Sequence, residues 1–278
     1  MAAASDQGGR QIMAGSDGSV LDRFRLDGRK AIVTGGGRGI GRGIALALGQ
    51  AGADVAIVYE KAKDRAEGVL AELQALGRTG SYVQQADVSA SADVQRMAEE
   101  AERRFGRVDI LVNNAGIAHN AAAEDMTESQ WERMIRMNLT SVFLSCQAIG
   151  RQMIRQKSGV IINIGSLSAK IVNFPQKQAH YNAAKAGVHL LTKCLAVEWA
   201  PHNIRVNALV PGYIHTELVD PIMEKHGEMV KKHWLEPSVQ NRFGTVEELG
   251  AAAVYLASDA STFTTGEEMV VDGGYTLR

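Results

Sequence analysis

From Arg29 onward the chain alternates between short apolar runs and longer Ala-rich stretches of helical period. The runs are Ala31-Ile32-Val33, Val55-Ala56-Ile57-Val58, Ser81-Tyr82-Val83, Ile110-Leu111-Val112, Val160-Ile161-Ile162, Arg205-Val206-Asn207 and Met269-Val270-Val271. Most are β-branched and show no polar alternation, the pattern of strands covered on both faces. Between them, segments near residues 39–50, 62–76, 92–105, 128–156, 179–200 and 246–257 carry apolar residues at helical spacing. Alternating strands and helices imply a parallel sheet, and right-handed crossovers place helices on both of its faces. The expected fold class is therefore α/β, a single-domain doubly wound parallel sheet of about seven strands.

Two stretches stand outside this rhythm. Residues 1–22 begin in an Ala-, Gly-, Ser- and Asp-rich sequence with no apolar core of a signal peptide, and they are read as a flexible extension to a domain spanning 23–278. Residues 211–244 open on Pro211-Gly212 and contain Pro221 and Pro237; a gap of that length is expected to be a substrate loop.

Composition removes several classes of partner. With 278 residues, 45% of them hydrophobic, the chain can bury a large core. A formal net charge of -1, with both signs interspersed, offers no footprint for nucleic acid or an anionic membrane. No apolar run approaches the roughly 20 residues of a membrane span. Cys146 and Cys194 fall in helical segments outside any CxxC pattern, so both are read as buried thiols of a cytoplasmic protein. The seven histidines form no HxH or HxxxH pair, and no metal site is expected; His180 and His189 fall on the helix that also carries Tyr181.

The first strand ends in Thr34-Gly35-Gly36-Gly37-Arg38-Gly39-Ile40-Gly41, and a helix follows. Glycines allow the sharp turn and let backbone N–H groups approach a pyrophosphate, while the helix N-terminus adds partial positive charge. This context, a first strand opening into a helix of a doubly wound sheet, points to dinucleotide binding and a Rossmann fold. Tyr181 and Lys185 are i and i+4 on one helix and so share a face. A free Tyr has a pKa near 10, and lowering it by about three units requires ~4 kcal/mol. One cation about 4 Å away supplies that at an effective dielectric near 20, so Lys185 is expected to tune Tyr181 as a general acid or base.

The TGxxxGxG spacing resembles the short-chain dehydrogenase/reductase family, and the resemblance extends from about Leu26 to the C-terminus. Asn113-Asn114-Ala115-Gly116 after the fourth strand, Tyr181-Asn182-Ala183-Ala184-Lys185, Asn138, Pro211-Gly212 with Thr216, and Asp272-Gly273-Gly274 match its motifs in order. The resemblance implies a catalytic set of Asn138, Ser166, Tyr181 and Lys185, with Asn138 bending its helix to hold a water that serves the lysine. Serine is the contested member. The family's usual gap to the tyrosine counts back to Ser168, whereas the strand's carboxyl edge points to Ser166, and Ser166 is preferred because that edge fixes geometry. Cofactor contacts are expected from Gly35, Gly37, Arg38, Gly39, Ile40, Gly41, Tyr59, Asp87, Val88, Asn114, Ala115, Gly116, Tyr181, Lys185, Pro211, Gly212 and Thr216.

The second strand ends at Tyr59, where an acidic residue would bind a ribose 2′-OH and repel a 2′-phosphate. Its absence, with Arg38 nearby, favours NADP(H); Glu60, one residue on, argues for NAD(H). Ser168 to Gln178, Glu198-Trp199-Ala200-Pro201 and Phe263-Thr264-Thr265-Gly266 resemble the mannitol/sorbitol/L-sorbose and carbonyl reductase branch. That branch implies interconversion of a polyol or secondary alcohol with a ketose or other ketone. The competing readings are a 3-oxoacyl carrier-protein reductase and a non-catalytic dinucleotide-binding regulator. The family implies a homotetramer.

Overall fold

Seven strands form one parallel sheet in the order β3-β2-β1-β4-β5-β6-β7, in a computed structural model that describes residues 19–278. They are β1 (Lys30–Thr34), β2 (Asp54–Tyr59), β3 (Tyr82–Gln85), β4 (Ile110–Asn113), β5 (Gly159–Ile164), β6 (Ile204–Pro211) and β7 (Glu268–Val271). Successive side chains along a strand point to opposite faces. Val33, Val55, Ile57, Ile110 and Val112 accordingly enter one buried layer, while Ile32, Ala56, Val58 and Leu111 enter the other. Both layers are buried, which is why the strand sequences lack polar alternation.

Helices α1 (Gly39–Gln50), α2 (Lys63–Ala75) and α8 (Val246–Ala257) cover the first layer through Ile44, Leu48, Leu73 and Leu256. Helices α3 (Ser91–Phe105), α5 (Ser141–Gln156) and α6 (Ala179–Trp199) cover the second through Met97, Ile149, Met153 and Val188. Strand order reverses direction between β1 and β4, and the crevice beyond the carboxyl ends of these two strands is where such sheets bind ligands.

Four expectations are corrected. The helix expected over 128–156 is divided into α4 (Glu128–Ile135) and α5 by a π turn at Arg136–Thr140, with Asn138 inside it. The segment 211–244 is not loop throughout: β6 runs through Pro211, and α7 (Asp220–Val230) continues into a second π turn at Lys231–Leu235. Pro221 lies in the first turn of α7, where a missing N–H leaves no helical bond unmade. Cys146 is buried as expected, but Cys194 is exposed on the outer face of α6. Of the expected extension, residues 1–18 lie outside the described residues, whereas Val20–Phe24 forms a 3-10 turn whose Phe24 ring lies 6.3 Å from that of Tyr255. Among the described residues no helix is long and apolar enough to cross a membrane.

Candidate active site

The Gly-rich turn leaves β1 with Gly35 at φ +64°, a backbone region that β-carbons disfavour. The next turn is equally constrained by space. A Cβ on Gly41 would lie 2.3 Å from the Gly35 carbonyl oxygen and 2.4 Å from Asn114 Nδ2. Asn114 closes the other side by donating from Nδ2 to the Thr34 carbonyl (2.9 Å) and the Gly35 carbonyl (3.1 Å). Thr34 Oγ1 accepts from the backbone N–H groups of Asn114 and Ala115 at 3.0 and 3.1 Å. The ends of β1 and β4 are thereby locked together around the crevice. Arg38 occupies the N-cap of α1 but its side chain makes no capping bond, so the first-turn N–H groups of Gly39, Ile40 and Gly41 carry no side-chain acceptor. Free first-turn amides on a twelve-residue helix, approached by a backbone stripped of β-carbons, fit a dinucleotide pyrophosphate.

The other expected cofactor contacts fall on the same sheet edge. Tyr59 ends β2, and Asp87 with the buried Val88 follows β3. The Asp87 carboxylate accepts from the Ser89 hydroxyl (2.7 Å) and N–H (2.9 Å), which holds that loop. Gly116 lies against Asn138, whose Oδ1 would be 2.5 Å from a β-carbon there. Pro211 and Gly212 end β6, with the Gly212 N–H donating to the Val271 carbonyl at 3.0 Å. Thr216 reaches across to the glycine turn, its Cγ2 3.5 Å from where a Gly39 β-carbon would stand.

The four expected catalytic side chains approach this edge from three elements. Ser166 follows β5, and its hydroxyl lies next to the Tyr181 phenol and acts to lower that group's pKa. It also accepts from the Ser168 N–H at 3.1 Å. Ser168 Oγ instead accepts from Gln178 Nε2 at 3.4 Å, and of the two serines only Ser166 acts on the Tyr181 phenol's pKa. Lys185 is 5% exposed and donates from Nζ to the Ile164 carbonyl at 2.8 Å, with Nζ 5.8 Å from the Tyr181 ring centroid. Burial pulls its ammonium pKa down to about 8. Asn138 donates from Nδ2 to the Ile117 carbonyl (2.9 Å) and accepts from the Ile117 N–H (3.2 Å), pinning the π turn to the loop after β4.

The expected direction for the Tyr181 phenol is reversed. In the chain by itself, burial raises its pKa and outweighs the opposing effect of the neighbouring Ser166 hydroxyl, and Tyr213 adds to the rise. Desolvation acts on the phenolate at least as strongly as a nearby cation.

Several neighbours were missed. Tyr213 stacks on Trp234 with ring centroids 4.7 Å apart, and its hydroxyl receives Asn173 Nδ2 at 3.2 Å. Asn173 Oδ1 in turn accepts from Gln178 Nε2 at 3.0 Å. A band of amides and hydroxyls from Ser168 to Tyr213 thus adjoins Ser166 and Tyr181. Its sequence signal was the stretch 168–178, whose resemblance to the polyol reductase branch did not show that Asn173 and Gln178 join Tyr213. The buried His180 pairs its Nε2 with His119 Nε2 at 3.0 Å, a contact between residues 61 positions apart. Among the described residues no group of three or more His, Cys, Asp or Glu side chains could hold a metal ion.

Comparison with known proteins agrees with this geometry. Residues 35–276 match a family model described as enoyl-(acyl carrier protein) reductase. The chain is similar to a galactitol 2-dehydrogenase of Rhizobium johnstonii, 44% identical over 93% of this chain and 99% of the relative. It is also similar to a 3-oxoacyl-[acyl-carrier-protein] reductase of Chlamydia pneumoniae, 40% identical over 90% of this chain and 98% of that one. Among solved structures, a short-chain type dehydrogenase/reductase from Mycobacterium marinum superposes with a TM-score of 0.87 at 41% identity, covering 94% of this chain and all of the other. Motifs, sheet topology and near-complete alignment converge, and the chain belongs to the short-chain dehydrogenase/reductase family.

Proposed function

We propose that this protein is a nicotinamide-dependent oxidoreductase that interconverts a secondary alcohol of a polyol with the corresponding ketone. The observation that carries this reading is the Ser166 hydroxyl beside the Tyr181 phenol at the sheet edge, with the buried Lys185 ammonium one helical turn along and the glycine turn alongside. A bound nicotinamide supplies or accepts the hydride. Ser166 holds the substrate oxygen beside the phenol. Tyr181 gives that oxygen its proton in ketone reduction and takes it back in alcohol oxidation. A phenol pKa raised by burial keeps the proton on Tyr181 at neutral pH, which suits the donor role. Lys185 stabilises the phenolate left behind, and Asn138 holds the π turn beside the loop after β4.

The amide and hydroxyl band of Ser168, Gln178, Asn173 and Tyr213 supports a substrate bearing several hydroxyl groups. The galactitol dehydrogenase relative is named for such a substrate. NADP(H) is the preferred cofactor. Tyr59 brings no carboxylate to the end of β2, Arg38 stands exposed at the turn, and Glu60 is partly neutralised by Lys61 at 3.1 Å. Exposed Trp131, Phe143, Leu190 and Val197 on α4, α5 and α6 support self-association into the expected tetramer.

Cofactor turnover with NADPH and NADH, against galactitol, sorbose, fructose, an aryl ketone and a 3-oxoacyl thioester, tests the reading. Polyol or ketose turnover is expected, with Tyr181→Phe slowing it about 10²- to 10⁴-fold at unchanged cofactor affinity. Turnover of the thioester alone would transfer the site to acyl chemistry. A folded protein that binds cofactor but turns over nothing would leave a binding protein only.

A further inference from the structure

One polar cluster touches the site without belonging to the expected catalytic set. His189 lies on α6 one turn beyond Lys185, so Tyr181, Lys185 and His189 follow each other at i, i+4 and i+8 along one face. The ring is 5% exposed. Its Nδ1 is 3.1 Å from Glu268 Oε2, at the start of β7. Its Nε2 receives the backbone N–H of Ser166 at 3.4 Å. Gly165 makes this approach feasible, because a β-carbon there would stand 2.3 Å from Nε2.

We infer that His189 is a positioning residue for the proposed reaction: Glu268 fixes its imidazole as the neutral Nδ1–H tautomer, and the Nε2 lone pair holds the Ser166 backbone in register with Tyr181. The inference rests on the dehydrogenase reading of this site. The tautomer follows from the partners. A carboxylate can only accept, so Nδ1 must donate to Glu268; the Ser166 N–H can only donate, so Nε2 must accept. Glu268 is itself held by Lys170 Nζ (2.7 Å) from the turn after β5 and by Lys193 Nζ (2.5 Å) from α6. One carboxylate therefore ties the edge strand, the tyrosine helix and the serine turn together. Lys185 and Ile164 make the parallel bond one residue pair earlier, so α6 grips the end of β5 at two successive points.

The same geometry makes the arrangement sensitive to acid. Protonation puts an N–H on Nε2, facing the Ser166 N–H, and the acceptor is lost. The charged groups around the ring are Glu268 from β7, Lys170 from the turn after β5, and Lys185 and Lys193 from α6. Burial pushes the imidazole below its ordinary value, and Glu268 opposes this more weakly. The ring is therefore neutral, and the serine held, at neutral pH.

The test uses the full-length chain and three variants, His189→Gln, His189→Leu and Glu268→Gln. Long-range 1H–15N NMR of the histidine rings, assigned by difference against His189→Gln, reads the tautomer without any substrate. The Nδ1–H form is expected in wild type, and an Nε2–H form overturns the inference. In turnover, His189→Leu is expected to lower kcat by about a hundredfold, the scale of a small misplacement of a reacting group, at unchanged cofactor Kd. His189→Gln keeps an acceptor and is expected to restore kcat to within a few-fold of wild type, without the acidic fall that His189 imposes. Glu268→Gln is expected to mix the tautomers and fall between the two. Equal losses in His189→Gln and His189→Leu, or wild-type kcat and pH profile in both, overturn the inference. Should His189→Leu not fold, the NMR tautomer and the His189→Gln pH profile still decide. A wild type without turnover is a failure of the dehydrogenase reading instead, and the tautomer measurement stands apart from it.

Discussion

Replacing Lys185 with methionine should make the protein more stable at neutral pH while destroying its activity. Folding carries the Lys185 ammonium from its ordinary pKa of 10.5 to about 8, through desolvation. At about 1.36 kcal/mol per pKa unit, holding that charge in the folded state at pH 7 costs about 3 kcal/mol. Methionine removes the charge but also the hydrogen bond to the Ile164 carbonyl, worth about 1 kcal/mol. The net gain is about 2 kcal/mol. With an unfolding entropy near 2.1 cal/mol/K per residue over 278 residues, this is a rise in Tm of about 3 °C. The pH dependence identifies the cause. Between the two pKa values, about 8 and 10.5, the unfolded wild type binds more protons than the folded one, so wild-type stability rises with pH there. The variant has no such group, and its advantage should shrink toward zero by about pH 10. Urea unfolding followed by circular dichroism at pH 7 and about pH 10, with cofactor absent, measures both numbers. A variant less stable than wild type at pH 7, or an advantage that does not change with pH, refutes the reasoning. Activity should fall in the opposite sense, by about 10²-fold or more, because the phenolate loses its cation.

Three further outcomes follow from the geometry. Gly41→Ala places a β-carbon 2.3 Å from the Gly35 carbonyl oxygen, which is backbone and cannot yield; thermal unfolding should show a loss of about 1–3 kcal/mol, and fluorescence titration should show cofactor binding abolished. Arg38→Ala should weaken NADPH by about tenfold or more and leave NADH nearly unchanged, since only the former offers a 2′-phosphate; equal effects on both cofactors would remove Arg38 from that role. Asn138→Ala leaves the Ile117 peptide without either side-chain partner and should cost about 1–3 kcal/mol in urea unfolding, with kcat falling alongside.

What the chain's order of residues determined by itself is the framework. Mostly β-branched apolar runs such as Val55–Val58 read as strands buried on both faces, and their alternation with amphipathic helices points to a parallel sheet. The glycine turn was legible because sterics restrict it locally: Gly35 needs its positive φ and Gly41 its missing β-carbon whatever the rest of the fold does. Tyr181 and Lys185 were legible because helical spacing puts them on one face and the glycine turn and other motifs occur with them in order. Three-dimensional packing decided the rest. The helix expected over 128–156 looks continuous to periodicity, the bend at Asn138 came only from the family resemblance, and the π turn there is held by the Ile117 peptide, 21 residues upstream, together with Met134. Pro221 and its neighbours read as loop because helix breakers are judged by residue type, whereas the first turn of α7 tolerates the missing N–H. The phenol's pKa went the other way because desolvation depends on how many atoms surround a group, a quantity with no sequence period. Likewise Glu268 and His189 lie 79 residues apart, and nothing local links a carboxylate at the edge strand to a ring on the tyrosine helix until the sheet closes and brings them within 3.1 Å. Short-range sterics and hydrophobic period are written residue by residue; long-range contacts and burial exist only after the chain has folded.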